Sequence, residues 1–143
     1  MGLDAVVYRN IQNLPESLRM QVKLVDASTG ELDFVNGSTL SHHTEDLFDA
    51  DVRIGNISAV AWIREQIELR WANECPVILN AVLYSNTHSG DFIPLDHVRR
   101  IKLEIAAFDS VDVSIAPGLT AFFDEMRRLV VAAETEGNPI AFQ

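Results

Sequence analysis

Between Pro117 and Gly137 the apolar residues keep helical spacing without a break: Leu119, Phe122, Phe123, Met126, Leu129, Val130 and Ala133. Steps of three and four put them on one helix face, and that face needs a broad apolar surface opposite it. Proline suits a first helical turn, where its missing N–H costs nothing, and glycine stops a helix by taking positive φ. Asp124 and Arg128 stand four apart on the outer face, the spacing of a favourable ion pair. A chain with this helix must supply a second layer for it to cover.

Other segments supply candidates for that layer. Leu3 to Tyr8 is short, apolar and β-favouring, as an interior strand is. Pro15 to Leu18 fits one helical turn with proline in first place. Val22 to Val25 and Glu31 to Val35 alternate on either side of Asp26-Ala27-Ser28-Thr29-Gly30, which is a hairpin pattern. Asn36-Gly37-Ser38 reads as a second turn. Residues 38–53 are polar and acidic, with at most a short helix at Thr44 to Phe48.

Asn56 or Ser58 is placed to cap a helix running to about Trp71, with Ile57, Val60, Ile63, Ile67 and Trp71 on one face. Glu74-Cys75-Pro76 breaks it. Val77 to Tyr84 is almost wholly apolar, so periodicity does not separate helix from strand; Pro76 favours helix. Ser85 to Asp91 has the composition of a loop, and Pro94 opens a helix striped by Leu95, Val98, Ile101, Ile105 and Phe108. Val111 to Ile115 alternates like a strand or an extended linker, and Pro139 to Phe142 suits a closing strand. The expectation is one α+β domain over residues 1–143. A small antiparallel sheet of N-terminal strand, hairpin and C-terminal strand packs against about four helices.

Charge narrows the partners. Twenty-one acids stand against eleven bases, a formal net charge of −10. Such a chain is poorly suited to neutralising phosphates, so neither nucleic acid nor an anionic membrane surface is expected. The acid at Asp4 and the short apolar run Ala5 to Tyr8 do not make a signal peptide. Val6 stands where N-myristoylation after Gly2 wants a hydroxyl, and no apolar stretch reaches the length of a membrane span. A cytoplasmic protein is expected. Cys75 is the single cysteine, so no intramolecular disulfide forms, and before Pro76 in an apolar run it reads as a small buried hydrophobe.

The loop Thr87-His88-Ser89-Gly90-Asp91 is the best place for enzymatic chemistry, holding an imidazole, two hydroxyls and a carboxylate. A nucleophile, its base and an orienting acid must converge within hydrogen-bond reach, which consecutive residues rarely do. No G-x-S-x-G elbow is present either. A structured turn that caps the Pro94 helix and ends the preceding one is the other reading; a ligand contact through Thr87, His88, Ser89 and Asp91 is a third. His42-His43 with Glu45 and Asp46 has metal-binding side chains but none of the usual ligand spacings, so no metal is expected. Arg53-Ile54-Gly55-Asn56 lacks the residues of a phosphate loop and reads as a tight lead into a helix; no cofactor is expected. Trp62 and Trp71, nine apart, do not share a helix face, so one packs inward and the other lies at a boundary or interface.

The distribution of acids is more telling. Between Lys23 and Arg53 lie Asp26, Glu31, Asp33, Glu45, Asp46, Asp49 and Asp51 with no base among them. A second base-free span, between Lys102 and Arg127, holds Glu104, Asp109, Asp112, Asp124 and Glu125. Such faces keep an acidic protein soluble, and they also attract a basic partner and speed its arrival.

Four segments, MGLDAVVYRN, RIGNISAVAWIRE, LYSNTHSGDFIP and EGNPIAF, resemble a group of small bacterial proteins, though none is a motif of known chemistry. In size, acidity and poverty of motifs the chain is also similar to the immunity proteins that neutralise bacterial toxins. That likeness implies a non-enzymatic protein that occludes a basic toxin domain. Asp33, Glu45, Asp46, Asp49 and Asp51 would supply charge and Phe48 a buried anchor. The alternatives are a small enzyme or ligand-binding domain built on the His88, Ser89 and Asp91 loop, and a homo-oligomer formed through the aromatic C-terminal helix or the Ile140–Phe142 edge.

Overall fold

The computed structural model describes residues 2–35, 44–85, 88–109 and 117–143. The architecture is α+β. Strand β1 (Gly2–Tyr8) is interior in a four-stranded sheet ordered β4-β1-β6-β5, in which β4 is Phe48–Asn56, β5 Phe92–Ile93 and β6 Ile140–Phe142. Every pairing is antiparallel: β1 runs against β4 along its whole length and against β6 at Ala5↔Phe142 and Val6↔Ala141. From Ala5 onward every β1 residue is buried, because both faces of the sheet are covered. Leu3, Ala5 and Val7 face the helices, while Val6 and Tyr8 face the other way.

The helical layer consists of α2 (Ile57–Trp71), α3 (Leu95–Asp109) and α4 (Pro117–Glu136). The stripe of α4 is buried as its spacing requires, with Phe123, Met126 and Leu129 fully enclosed. Asn56 caps α2, its side-chain oxygen accepting the Ala59 N–H at 2.8 Å. Trp71 packs inward against Phe108, whereas Trp62 stays 40% exposed beside Gly118. Residues 76–82 are helical, as Pro76 favours, and widen into a π-helical turn at Ile78–Val82. Gly137 ends α4 at φ 66°.

On the opposite face lies the hairpin β2 (Val22–Asp26) and β3 (Glu31–Phe34), preceded by a single turn, α1 (Glu16–Arg19), with Pro15 just before it. The hairpin forms as its alternation predicts, but as a separate two-stranded sheet. Val22 and Leu32 pack with Val6, Tyr8, Leu14, Leu47 and Ala141 into a second, smaller core.

Several expectations need correction. The place given to the hairpin in the main sheet belongs to β4, in a stretch read as acidic loop and helix lead. Ala50, Val52 and Ile54 turn inward while Asp51 and Arg53 stay exposed, so the period-two pattern outweighs the poor strand propensity of aspartate. Ahead of it, Thr44–Leu47 form a short 3₁₀ turn, so the helix suggested for Thr44 to Phe48 gives way to strand at Phe48. Ile140–Phe142 is not a sheet edge: it lies between β1 and β5 with all three residues buried. Phe122 and Phe123 are likewise spent in the core. Asp124 pairs with Arg127, and Arg128 with Glu125, three residues apart instead of four. The turn expected at Asn36-Gly37-Ser38 and the segment Val111 to Ile115 lie outside the described residues.

Candidate functional site

The two base-free spans behave differently once folded. In the C-terminal span Asp109 and Asp124 both pair with Arg127, Glu125 pairs with Arg128, and Glu104 is buried. Asp112 lies outside the described residues. Among the described residues of that span, Asp109, Asp124 and Glu125 are each ion-paired with an arginine of α4. In the N-terminal span Glu45 and Asp46 project from the 3₁₀ turn, and Asp49 and Asp51 from β4; all four are exposed. Among the described residues Glu45, Asp49 and Asp51 make no ion pair. Asp33 is exposed on β3, one of its oxygens accepting the Phe34 N–H at 2.8 Å. Asp26 accepts from the Ser28 hydroxyl and amide, which holds its carboxyl below the usual range. Phe48, expected as an anchor for a partner, is half-buried in the second core, edge-on to Tyr8 with ring centroids 5.0 Å apart.

In the Thr87–Asp91 loop, Thr87 lies outside the described residues. His88 is buried, its side chain 3% exposed. Its ring stacks on Tyr84 and meets Phe142 edge-on at 4.1 Å between centroids. Its Nε2 lies 2.8 Å from the Val82 carbonyl oxygen, which only accepts, so Nε2 is the donor. This bond ties off the end of the π-helical turn, the helix-ending role among the three readings. Gly90 takes φ 94°, which glycine tolerates, and its N–H donates to Phe142 O at 3.0 Å. Phe142 N–H donates in turn to Asp91 O at 2.9 Å, stitching the loop to β6.

The described residues of the loop do not assemble the chemistry of a triad. Nε2 is committed to backbone, among the described residues Nδ1 has no hydrogen-bond partner, and Asp91 Oδ2 stands 3.9 Å from it, beyond hydrogen-bond reach. Ser89 is exposed and makes no hydrogen bond with the imidazole. Tyr84 donates its hydroxyl to Asp91, and that bond, burial and the carboxylate's charge together push the phenol up.

His42 and His43 lie outside the described residues, and no group of three or more His, Cys, Asp or Glu among the described residues is placed to hold a metal ion. Cys75 is buried, and desolvation, with Glu104 and Glu74 nearby, pushes its thiol up to about 12, leaving it protonated and unreactive.

Two buried acids escaped the sequence reading. Glu104 accepts the Val77 N–H at 2.6 Å and the Ile78 N–H at 3.2 Å, capping the start of the 76–82 helix from α3. Its place inside the apolar stripe, three residues after Ile101, was the available signal. Glu136, at the end of α4, accepts the Asn10 N–H at 2.7 Å and the Asn13 side-chain amide at 3.1 Å.

No helix among the described residues is long and apolar enough to cross a membrane. Comparison with family models, with curated proteins and with solved structures gives no match for this chain.

Proposed function

We propose that this is a non-enzymatic binding protein that docks a basic protein through the acidic surface of residues 26–51. In this reading the partner is a toxin domain, neutralised by occlusion in the cytoplasm in the manner of an immunity protein. One observation carries the reading: among the described residues of the two base-free acidic spans, exposed carboxylates outside ion pairs are found in this one, at Glu45, Asp49 and Asp51. Unpaired charge steers a partner from a distance more strongly than charge already paired with an arginine. The same hairpin region exposes Met20, Leu24 and Val25, apolar surface suited to the uncharged part of a contact. Nucleic acid and anionic membrane are disfavoured by the same charge.

The test begins with affinity capture and mass spectrometry of a stoichiometric basic partner. Association rates are then measured against salt for the wild type, for Glu45→Gln/Asp49→Asn/Asp51→Asn, and for Asp124→Asn/Glu125→Gln. The first variant is expected to slow association by about tenfold or more at low salt, within the range that steering contributes. The second is expected to match the wild type. A salt-independent rate, or equal losses in both variants, overturns the reading.

A further inference from the structure

Strand β4 is nine residues long and forms one border of the main sheet. Among the described residues no backbone group pairs with its outer side. Unpaired N–H and C=O groups along a strand are a template for a further strand. Two clefts flank this border on the helical side. The first, of about 370 Å³, lies between Asp49 and Ala50 of β4 and Arg128, Val131 and Ala132 of α4. The second, of about 280 Å³, lies between Arg53 and Ile54 of β4 and Trp62, Gly118 and Phe122 of the helices. Neither is lined by a residue of β1, so both open on the outer flank.

Both clefts keep apolar walls uncovered. Val131 is 64% exposed, and the half-exposed Trp62 lies against the first turn of α4, where a Cβ on Gly118 would stand 3.0 Å from its ring. Between the clefts stands the Glu125–Arg128 ion pair, Glu125 lining the second cleft and Arg128 the first. Ala50 and Ile54 are four residues apart, about 13 Å along a strand. Side chains alternate, so residues four apart on an added strand share its helix-facing side. They would enter the two clefts together, and the residue midway would meet the ion pair.

The other face sets the charge. Asp51 and Arg53 are exposed on the side turned from the helices, and Asp49 is exposed near the start of the strand. Among the described residues Asp49 and Asp51 make no ion pair, whereas Arg53 has Asp4 at 3.6 Å. A strand with bases opposite Asp49 and Asp51 meets opposite charge there; a second copy would bring its own acids to the same border. Every pairing in this sheet is antiparallel, and antiparallel ladders are the more stable per residue.

We propose that β4 accepts an antiparallel strand from the basic partner. An aromatic residue opposite Ile54 fills the Trp62 cleft, and an apolar residue four positions later lies over Val131, opposite Ala50. Lys or Arg at the third and fifth positions after the aromatic residue oppose Asp51 and Asp49. The partner's charge rests on the acidic docking surface proposed above; the backbone ladder and the two clefts do not.

The test titrates the full chain with acetyl-Thr-Phe-Thr-Thr-Lys-Leu-Lys-amide, followed by calorimetry, amide spectra and amide exchange. Saturable binding is expected, with slowed exchange in β4 and shifts at Ala50, Ile54, Trp62 and Val131. The isomer acetyl-Thr-Phe-Thr-Lys-Leu-Thr-Lys-amide puts Phe and Leu three apart, on opposite faces, and should bind about tenfold more weakly or worse. Alternate N–H groups of an added strand point at β4. N-methylation of Phe, Leu and the Thr midway between them, or of the three residues alternating with these, should therefore abolish binding in one set and spare it in the other. Val131→Lys and Trp62→Ser should each weaken binding about tenfold. Val131 lies outside both cores, so its variant keeps the test decisive if Trp62→Ser folds poorly.

Binding that ignores spacing and both N-methyl sets, yet weakens in Asp49→Asn/Asp51→Asn, overturns strand addition and leaves the acidic surface standing. N-methyl alternation with no loss in that double variant upholds strand addition and overturns the acidic surface instead. Absence of saturable binding overturns the added strand. So does a chain already dimeric by sedimentation with its β4 amides protected, which gives the border to a second copy.

Discussion

Glu104 shows how one side chain ties two elements together. It stands in the apolar stripe of α3 and caps a helix twenty-seven residues earlier, at Val77. Burial raises its pKa, and the two amide hydrogen bonds oppose that rise without cancelling it. A carboxyl whose folded pKa exceeds its unfolded value stabilises the fold fully below the unfolded value. That contribution is lost as pH rises through the raised folded one. Glu104→Gln keeps an acceptor for the amides without a charge, so urea midpoints should vary less with pH above the ordinary carboxylate range. Glu104→Leu leaves the part-buried Val77 and the buried Ile78 N–H groups bare and should lose about 2 kcal/mol. Equal urea midpoints for Glu104→Leu and wild type would show that the cap contributes nothing.

Among the elements, β4 is the most exposed to mispairing. No described residue pairs with its outer side, yet its register against β1 is interrupted at both ends and three of its four exposed residues, Asp49, Asp51 and Arg53, are charged. Irregular, charged edges discourage strand-to-strand association. Asp51→Val would place three apolar residues in a row on this edge. Light scattering should then detect association at concentrations where the wild type is monodisperse, and a monodisperse variant would refute the guarding role. This strand also marks where sequence reading stopped. The α4 stripe was legible because helical period and terminal signals agree over twenty residues. In β4 the alternation of Ala50, Val52 and Ile54 was present, but the intervening acids suggested solvent. The hairpin was legible from its turn, while alternation says which face is buried and not which sheet a strand joins. At the candidate sites the acids were visible one by one. Which of them are neutralised depends on Arg127 and Arg128 approaching in space.

For the whole molecule, two cores lie on opposite faces of one sheet, and the smaller is held partly by the hairpin turn. Gly30 takes φ 75°, and a Cβ there would stand 2.5 Å from the Asn138 side chain, which itself donates to Tyr8 O. Gly30→Ala should therefore cost about 1–2 kcal/mol. Hydrogen exchange should speed up first in β2 and β3, with α4 amides still protected. Uniform loss of protection would mean that the two cores open as one unit.

The position of β1 between β4 and β6 also governs how the chain is made. On the ribosome, β1 emerges first and can pair with β4 once about fifty residues have followed. Its other side waits for Ile140–Phe142, so a strand apolar on both faces keeps an open flank until that segment has been made. Closure across so long a loop is slow. This protein's window of vulnerability to wrong partners is therefore its own synthesis, and the segment most in need of shielding then is the one most deeply enclosed afterwards.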